Sequence, residues 1–290
     1  MGKQGLFVGL VTLDLVYLTP SPPGINQKIV ALDYSVTAGG PATNAAVTFS
    51  YWENIAQILG VVGQHPITHL IRSDLADYRV KIQDLDPTRL EAPPVSSILV
   101  SNGTGDRTVI SLNATKSQVA EENIFSHILQ DIDIILIDGH QMAIGKKIAK
   151  LAQAKNIPIV VDGGSWKPGF EELLPLVNYA ICSANFFPPS CETTNQVIAY
   201  LSALCIPNIA ITQGEKPIQY LSKGIAGTIE VPVIKPVDTL GAGDIFHGAF
   251  CHYILNQDFL PALQDAAKVA AKSCQYFGTR QWMSQESLLL

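Results

Sequence analysis

The stretch Asp238-Thr-Leu-Gly-Ala-Gly-Asp244-Ile-Phe246 places two glycines and two acids directly ahead of an apolar segment. Ile245, Phe246, Ala249, Phe250, Tyr253 and Ile254 recur at helical spacing, which predicts a buried helix starting near Gly243. The backbone N–H groups of Gly241, Ala242 and Gly243 then stand unpaired at the positive end of that helix. Glycine lets an anion come close to such a chain segment. Asp244 falls in the same first turn. Alone it would read as a helix cap; the alternative is an anion cradle with a carboxylate aimed into it. A carboxylate at a helix N-terminus is expected to be ionised at neutral pH. The pattern is not GxGxxG, since Phe246 fills the last glycine position, and it lacks the Lys-Ser or Lys-Thr that ends a Walker A loop.

The elements that must position these residues alternate between strand and helix. LFVGLV reads as a first strand, and IDIILIDG (132–139) and IPIVVDGG (157–164) are short apolar runs ending in Asp-Gly. Between them, Ile144, Ile148 and Leu151 mark one face of a helix, which makes a βαβ unit with buried parallel strands. YAICSA and NIAIT continue the series, and DIFHGAFCHYIL and PALQDAAKVAAKSCQYF give two closing helices. The expected fold is α/β, with a doubly wound, mostly parallel sheet flanked by helices. Two stretches break the rhythm as antiparallel ribbon: Asn26 to Val36, and Ser96 to Asn113 with its NGTGD tip. They predict a small β-sheet projecting from a single domain over 1–290, built from insertions at about 12–38 and 95–113.

Composition narrows the function classes. With 290 residues, 47% hydrophobic and 15% charged, the chain can bury a sizeable core and is not a disordered one. The net charge of −6 argues against a nucleic-acid binder or a polybasic membrane patch. Cys182, Cys191, Cys205, Cys251 and Cys274 show no CxxC pairing, so neither zinc nor a disulfide framework is indicated. Asp14 interrupts the apolar N-terminal run, no small-residue cleavage site follows, and a cytoplasmic protein is expected.

Two signatures carry a family resemblance. Asp-Thr-x-Gly-Ala-Gly-Asp before an apolar helix resembles the C-terminal signature of the ribokinase, or PfkB, carbohydrate kinases. AGGPATNAAVTFS resembles their N-terminal Gly-Gly-x-x-x-Asn at Gly39, Gly40 and Asn44. The likeness runs from the first strand to FGTR near the C-terminus. It implies a ribokinase-like fold whose small sheet is a lid, and an ATP-dependent kinase for a primary hydroxyl of a small sugar. Asp244 would be the base, and the amides of Gly241, Ala242 and Gly243 the anion hole for the transferring phosphoryl group. Asp14, Gly39, Gly40 and Asn44 would bind sugar; Asn185, Thr212 and Gly214 would lie near the nucleotide. Arg107, in a segment similar to that of ketohexokinase-like members, and His140, at a strand end, are further substrate-binding candidates. Lys167 lies where relatives carry a basic residue, whereas His247 and His252 read as packing or surface residues. The resemblance further implies Mg2+, leaves open a monovalent cation such as K+, and implies a homodimer formed through the lid.

One departure stands out. The family's Asn-x-x-Glu, whose Glu helps hold magnesium through water, here reads Asn185-Phe-Phe-Pro188, and proline has no side-chain oxygen to offer. Glu192 lies farther on. Two other readings stay open: a nucleoside kinase of the same fold, and a non-catalytic sugar- or nucleotide-binding protein. A Rossmann oxidoreductase is disfavoured, because no glycine fingerprint follows the first strand.

Overall fold

The computed structural model describes residues 2–111, 118–120 and 126–284. In chain order its strands are β1 (Gln4–Val8), β2 (Thr12–Thr19), β3 (Asp33–Gly39), β4 (Ile55–Gly60), β5 (Lys81–Asp84), β6 (Val95–Ser101) and β7 (Arg107–Ser111). They continue with β8 (Ile134–Ile137), β9 (Ile159–Gly163), β10 (Tyr179–Ser183), β11 (Asn208–Gln213), β12 (Lys216–Ser222) and β13 (Ile225–Ile229). The α-helices are α1 (Pro41–Ser50), α2 (Thr68–Asp77), α3 (Met142–Ala154), α4 (Phe170–Leu173), α5 (Thr194–Ala203), α6 (Ala242–Tyr253) and α7 (Phe259–Ser273).

The large sheet has the order β13-β12-β11-β10-β9-β8-β1-β4-β5. It is parallel from β5 to β11, and the β12–β13 hairpin extends that edge antiparallel. The strands are apolar because both faces are covered. Phe7 of β1 joins Ile58, Phe250 and Trp282 on one side, while Leu6 and Val8 join Ile135, Ile148 and Phe170 on the other. From β1 the chain winds to β4 and β5, and from β8 it winds the opposite way to β9 and β10. The carboxyl ends of β1 and β8 therefore form the switch point where ligands of doubly wound sheets bind.

The second sheet, in the order β3-β2-β6-β7, corrects part of the expectation. It is mixed rather than antiparallel throughout, since β2 runs parallel to β6. Of the first ribbon stretch only the segment from Asp33 is strand. Its partner β2 follows β1 within one apolar run, and it carries Asp14 into the small sheet, inside the expected insertion at about 12–38. The β6–β7 hairpin forms around its Gly-rich tip as expected; residues 112–113 of that stretch lie outside the described residues. Among the described residues, no helix is long and apolar enough to cross a membrane.

One helix contact sets the geometry of the site. Gly248 of α6 faces Ala45 O and Thr48 Cβ of α1, and a Cβ there would sit 2.6 Å from Thr48 Cβ and closer still to the carbonyl. The two helices can touch only because that methyl is missing. Gly248→Ala is expected to destabilise the fold by about 1–3 kcal/mol through overpacking. Urea unfolding measures this, and an unchanged midpoint would show that the helices have room to spare.

Candidate active site

Helix α6 starts where Gly241 adopts a left-handed conformation, φ 69°, as its N-cap. A side chain at that position would also meet Thr279 Cγ2 at 2.7 Å. The first-turn N–H groups of Gly243 and Asp244 have no carbonyl one turn back to bond. Gly243 is exposed, and a Cβ on it would meet nothing within 4 Å, so the mouth of the helix is open to a ligand. Asp238 holds the loop leading into this turn. Its carboxylate accepts the N–H of Leu240 (2.8 Å) and of Gly278 (2.8 Å), which ties the signature to the C-terminal segment.

Asp244 projects from this turn toward α1. There Asn44 donates Nδ2–H to Asp244 Oδ2 at 2.8 Å, a contact between residues 200 positions apart. Pro41 at the start of α1 suits a first helical position that needs no N–H partner. Burial and the neighbouring Asp162 carboxylate push the Asp244 carboxyl up to about 7, against the opposing pull of Asn44, His247 and Arg107. The expectation of full ionisation at neutral pH is thereby corrected. The helix dipole is present, but desolvation and a like charge outweigh it.

Asp162, one residue before the end of β9, is buried beside His247, whose Nδ1 lies 3.7 Å from its Oδ2. His247 itself is a packing residue, as expected: Nδ1 is 2.7 Å from Gly243 O and Nε2 is 3.2 Å from Ile181 O. His252 stacks on Trp52 with a centroid distance of 4.3 Å, and burial lowers its pKa to about 4.

Across the cleft, Asp14 is buried and accepts the Thr12 hydroxyl at 2.8 Å. Gly39 lies directly against its carboxylate, where any Cβ would collide with it. Burial raises the Asp14 pKa, against the lowering by Thr12, Ser96 and the Arg280 charge. Gly40 is the N-cap of α1 and packs on Leu10 O. The two glycines thus let the chain pass next to the acid.

Asp138 is the hub between these segments. Its Oδ2 accepts the N–H of Leu10 (2.9 Å) and of Ala42 (3.2 Å), and its Oδ1 accepts that of His140 (2.8 Å). One carboxylate therefore pins the β1–β2 turn, the start of α1 and the end of β8. Burial opposes its charge, yet His140 and these amides hold its pKa below the ordinary value. His140 sits at the same edge, with Nδ1 3.2 Å from Asp138 Oδ1.

Arg107 reaches from β7 of the small sheet to the signature. Its guanidinium donates to Thr239 O at 2.5 Å and to Thr239 Oγ1 at 3.3 Å, and the Thr239 hydroxyl is 3.3 Å from Gly105 O. The nucleotide-side candidates form a separate group along the sheet edge. The N–H of Ala184, next to Asn185, bonds Thr212 O at 2.9 Å, and Gly214 turns the β11–β12 hairpin with φ 64°. Lys167 donates to Ser165 O at 3.3 Å and lies over the Phe170 ring.

Pro188 is buried where a glutamate would be needed, Glu192 lies exposed just ahead of the Thr193 cap of α5, and no cluster of three His, Cys, Asp or Glu able to hold a metal occurs among the described residues.

A profile of the pfkB family carbohydrate kinase matches residues 4–286. The chain belongs to the PfkB family of carbohydrate kinases. This makes it a phosphotransferase acting on an alcohol group of a carbohydrate. The ribokinase of Bacillus subtilis is 23% identical over 287 residues, covering 95% of this chain and 94% of that protein. Among solved structures, an Arabidopsis thaliana ribokinase complexed with ribose and ATP superposes with a TM-score of 0.77 at 19% identity, covering 99% of this chain and 100% of that one. An E. coli protein in complex with ATP and Mg2+ gives 0.79 at 20% identity, covering 98% and 96%. At these identities the superpositions establish the ribokinase-like fold.

Sequence reading did not single out Asp162, nor did it single out Arg280. It stands in the FGTR segment, where the family likeness ends, but nothing in its local pattern marks it as other than a surface arginine.

The raised carboxyl of Asp244 has a consequence for stability. Its pKa rises from 3.8 to about 7 on folding, so the native state binds more protons in that window. Stability then falls as pH rises through it. Asp244→Asn keeps an oxygen for Asn44 but removes the titration, so its Tm should exceed wild type by a few degrees at pH 8 and converge on it near pH 4. A constant Tm difference across that range would contradict the shift.

Proposed function

We propose that this PfkB kinase transfers the γ-phosphoryl group of ATP to a primary hydroxyl of a small sugar, with Asp244 as the base. The observation that carries this reading is the Asn44–Asp244 pair at an open helix N-terminus. Asn44 engages Oδ2, which leaves Oδ1 for the acceptor hydroxyl. A carboxyl near 7 takes the hydroxyl proton while the amides of Gly241 and Gly243 face the charge that develops on the phosphoryl oxygens; the Ala242 N–H, expected to be open, is taken by Thr239 O at 3.4 Å. The sugar would lie between Asp14, Gly39, Gly40, Asn44 and His140 under the small sheet. Asn185, Thr212 and Gly214 would border the nucleotide. Arg107, anchored on Thr239, would keep this lid closed over the cleft and exclude water. Magnesium would enter on the nucleotide phosphates, and no protein ligand is assigned to it.

The whole chain would act as one catalytic domain, and the five free cysteines suit a reducing cytoplasm. We also infer that the lid pairs with a second copy. The registers put Tyr34, Tyr17, Leu99 and Thr108 in one cross-strand row, and Val36, Leu15, Ser97 and Ile110 in the next. Tyr34 and Ile110 are 69% and 68% exposed, an apolar face that a solitary lid would leave in water.

Two measurements test these readings. An ADP-release screen across ketoses, aldoses, sugar acids and nucleosides should find sugar-dependent turnover whose kcat/KM climbs with pH to a plateau above about 7. Asp244→Asn should lower it by about 10²–10⁴-fold. Tight binding of a sugar without turnover by the wild type would instead favour a binding protein. For assembly, light scattering should give a dimer that Tyr34→Asp with Ile110→Asp converts to monomer; a monomeric wild type would remove the lid–lid inference.

A further inference from the structure

We infer that Arg280 is a positioning residue that sets the orientation of Asn44, and through it the base; this rests on the reading of Asp244 given above. Arg280 is buried, and its guanidinium is fixed from three sides. Nη1 donates to Asn44 Oδ1 at 3.0 Å and to Thr279 Oγ1 at 2.9 Å. Nη2 donates to Ala38 O at 2.7 Å and approaches Asp74 Oδ2 at 3.3 Å, while the plane lies over the Tyr78 ring at 5.3 Å. Asp74 Oδ2 also accepts the Ala38 N–H at 3.0 Å, so the arginine and its partner acid clamp both polar groups of the residue preceding Gly39.

The chemistry of the amide makes this directional. Asn44 has one end that accepts and one that donates. With Oδ1 on the guanidinium and Nδ2 on Asp244, both ends are satisfied. Turning the amide over would set N–H against N–H at Arg280 and oxygen against carboxylate at Asp244. A fixed cation on one side thus guarantees a donor on the other, and the fork of an arginine does this where a lysine's point charge does not. The groups facing Asp244 are Asn44 from α1, Asp162 from β9, His247 from its own helix and Arg107 from the lid. Of these, Asn44 alone is held by Arg280.

The test is a double-mutant cycle with the best sugar from the screen. Arg280→Lys and Arg280→Met are each made in the wild type and in Asn44→Ala. With Asn44 present, each is expected to lower kcat/KM by about 10–100-fold, the range for a misplaced catalytic contact. The acidic limb of the pH profile should move up by about one unit, because a hydrogen bond that favours the carboxylate is lost. Without Asn44, the same changes should cost less than about 2-fold, since the effects share one route. Arg280→Lys keeps the charge beside Asp74 and Tyr78, so it carries the test if Arg280→Met does not fold; Tm and ATP affinity report on the fold. Full activity and an unmoved limb in Arg280→Lys, or losses that multiply with Asn44→Ala, would overturn the inference. Turnover that survives Asp244→Asn would sink the base assignment instead, so the two failures are distinguishable.

Discussion

The site depends on one hydrogen bond, from Asn44 to Asp244, made across the contact of α1 and α6. It exists because two helices from opposite ends of the chain approach without a side chain at Gly248 between them. The contact joins the two signature segments: one brings the open helix mouth, the other the glycines that press against Asp14. Without close packing there, Asp244 and Asp14 would belong to separate surfaces.

Around that bond, carboxylates at the sheet edge divide by the donors they have. Asp138 has His140 beside it, collects three backbone N–H groups and is held charged, which makes it a structural clamp on the β1–β2 turn and the start of α1. Asp162 and Asp244 lack that number of donors, and burial raises both. Burial alone therefore does not decide the role of an acid here. The imidazole and the N–H groups beside it do. Asp244 is left with one amide and an open side, which is what a group must have if it is to accept a proton from a hydroxyl.

The signature around Gly241 was legible because an anion site of this kind is built from adjacent residues, and adjacency is what a sequence records. The apolar strands β8 and β9 were legible for the same reason. The end of β1 was harder to read: LFVGLV runs on as one apolar stretch, because the turn from Gly9 to Val11 leaves no polar break before β2. The stretch from Asn26 has β-branched residues but hangs outside the sheet until Asp33, with Ile25 and Val30 largely exposed. The pKa of Asp244 was misjudged because the helix dipole follows from sequence position, whereas Asp162 arrives through the fold. Arg280 stands 236 positions from Asn44, and no local pattern could pair them.

The account turns on the state of one carboxyl, and that state can be observed directly. Carbon-13 NMR of the Asp244 side chain, titrated in the ligand-free enzyme, should give a midpoint near 7 that moves higher when Asn44 is replaced by alanine. A midpoint near 4 that ignores the Asn44 substitution would mean that the carboxylate is an ordinary solvated cap, and the description of this site as a poised base would be wrong.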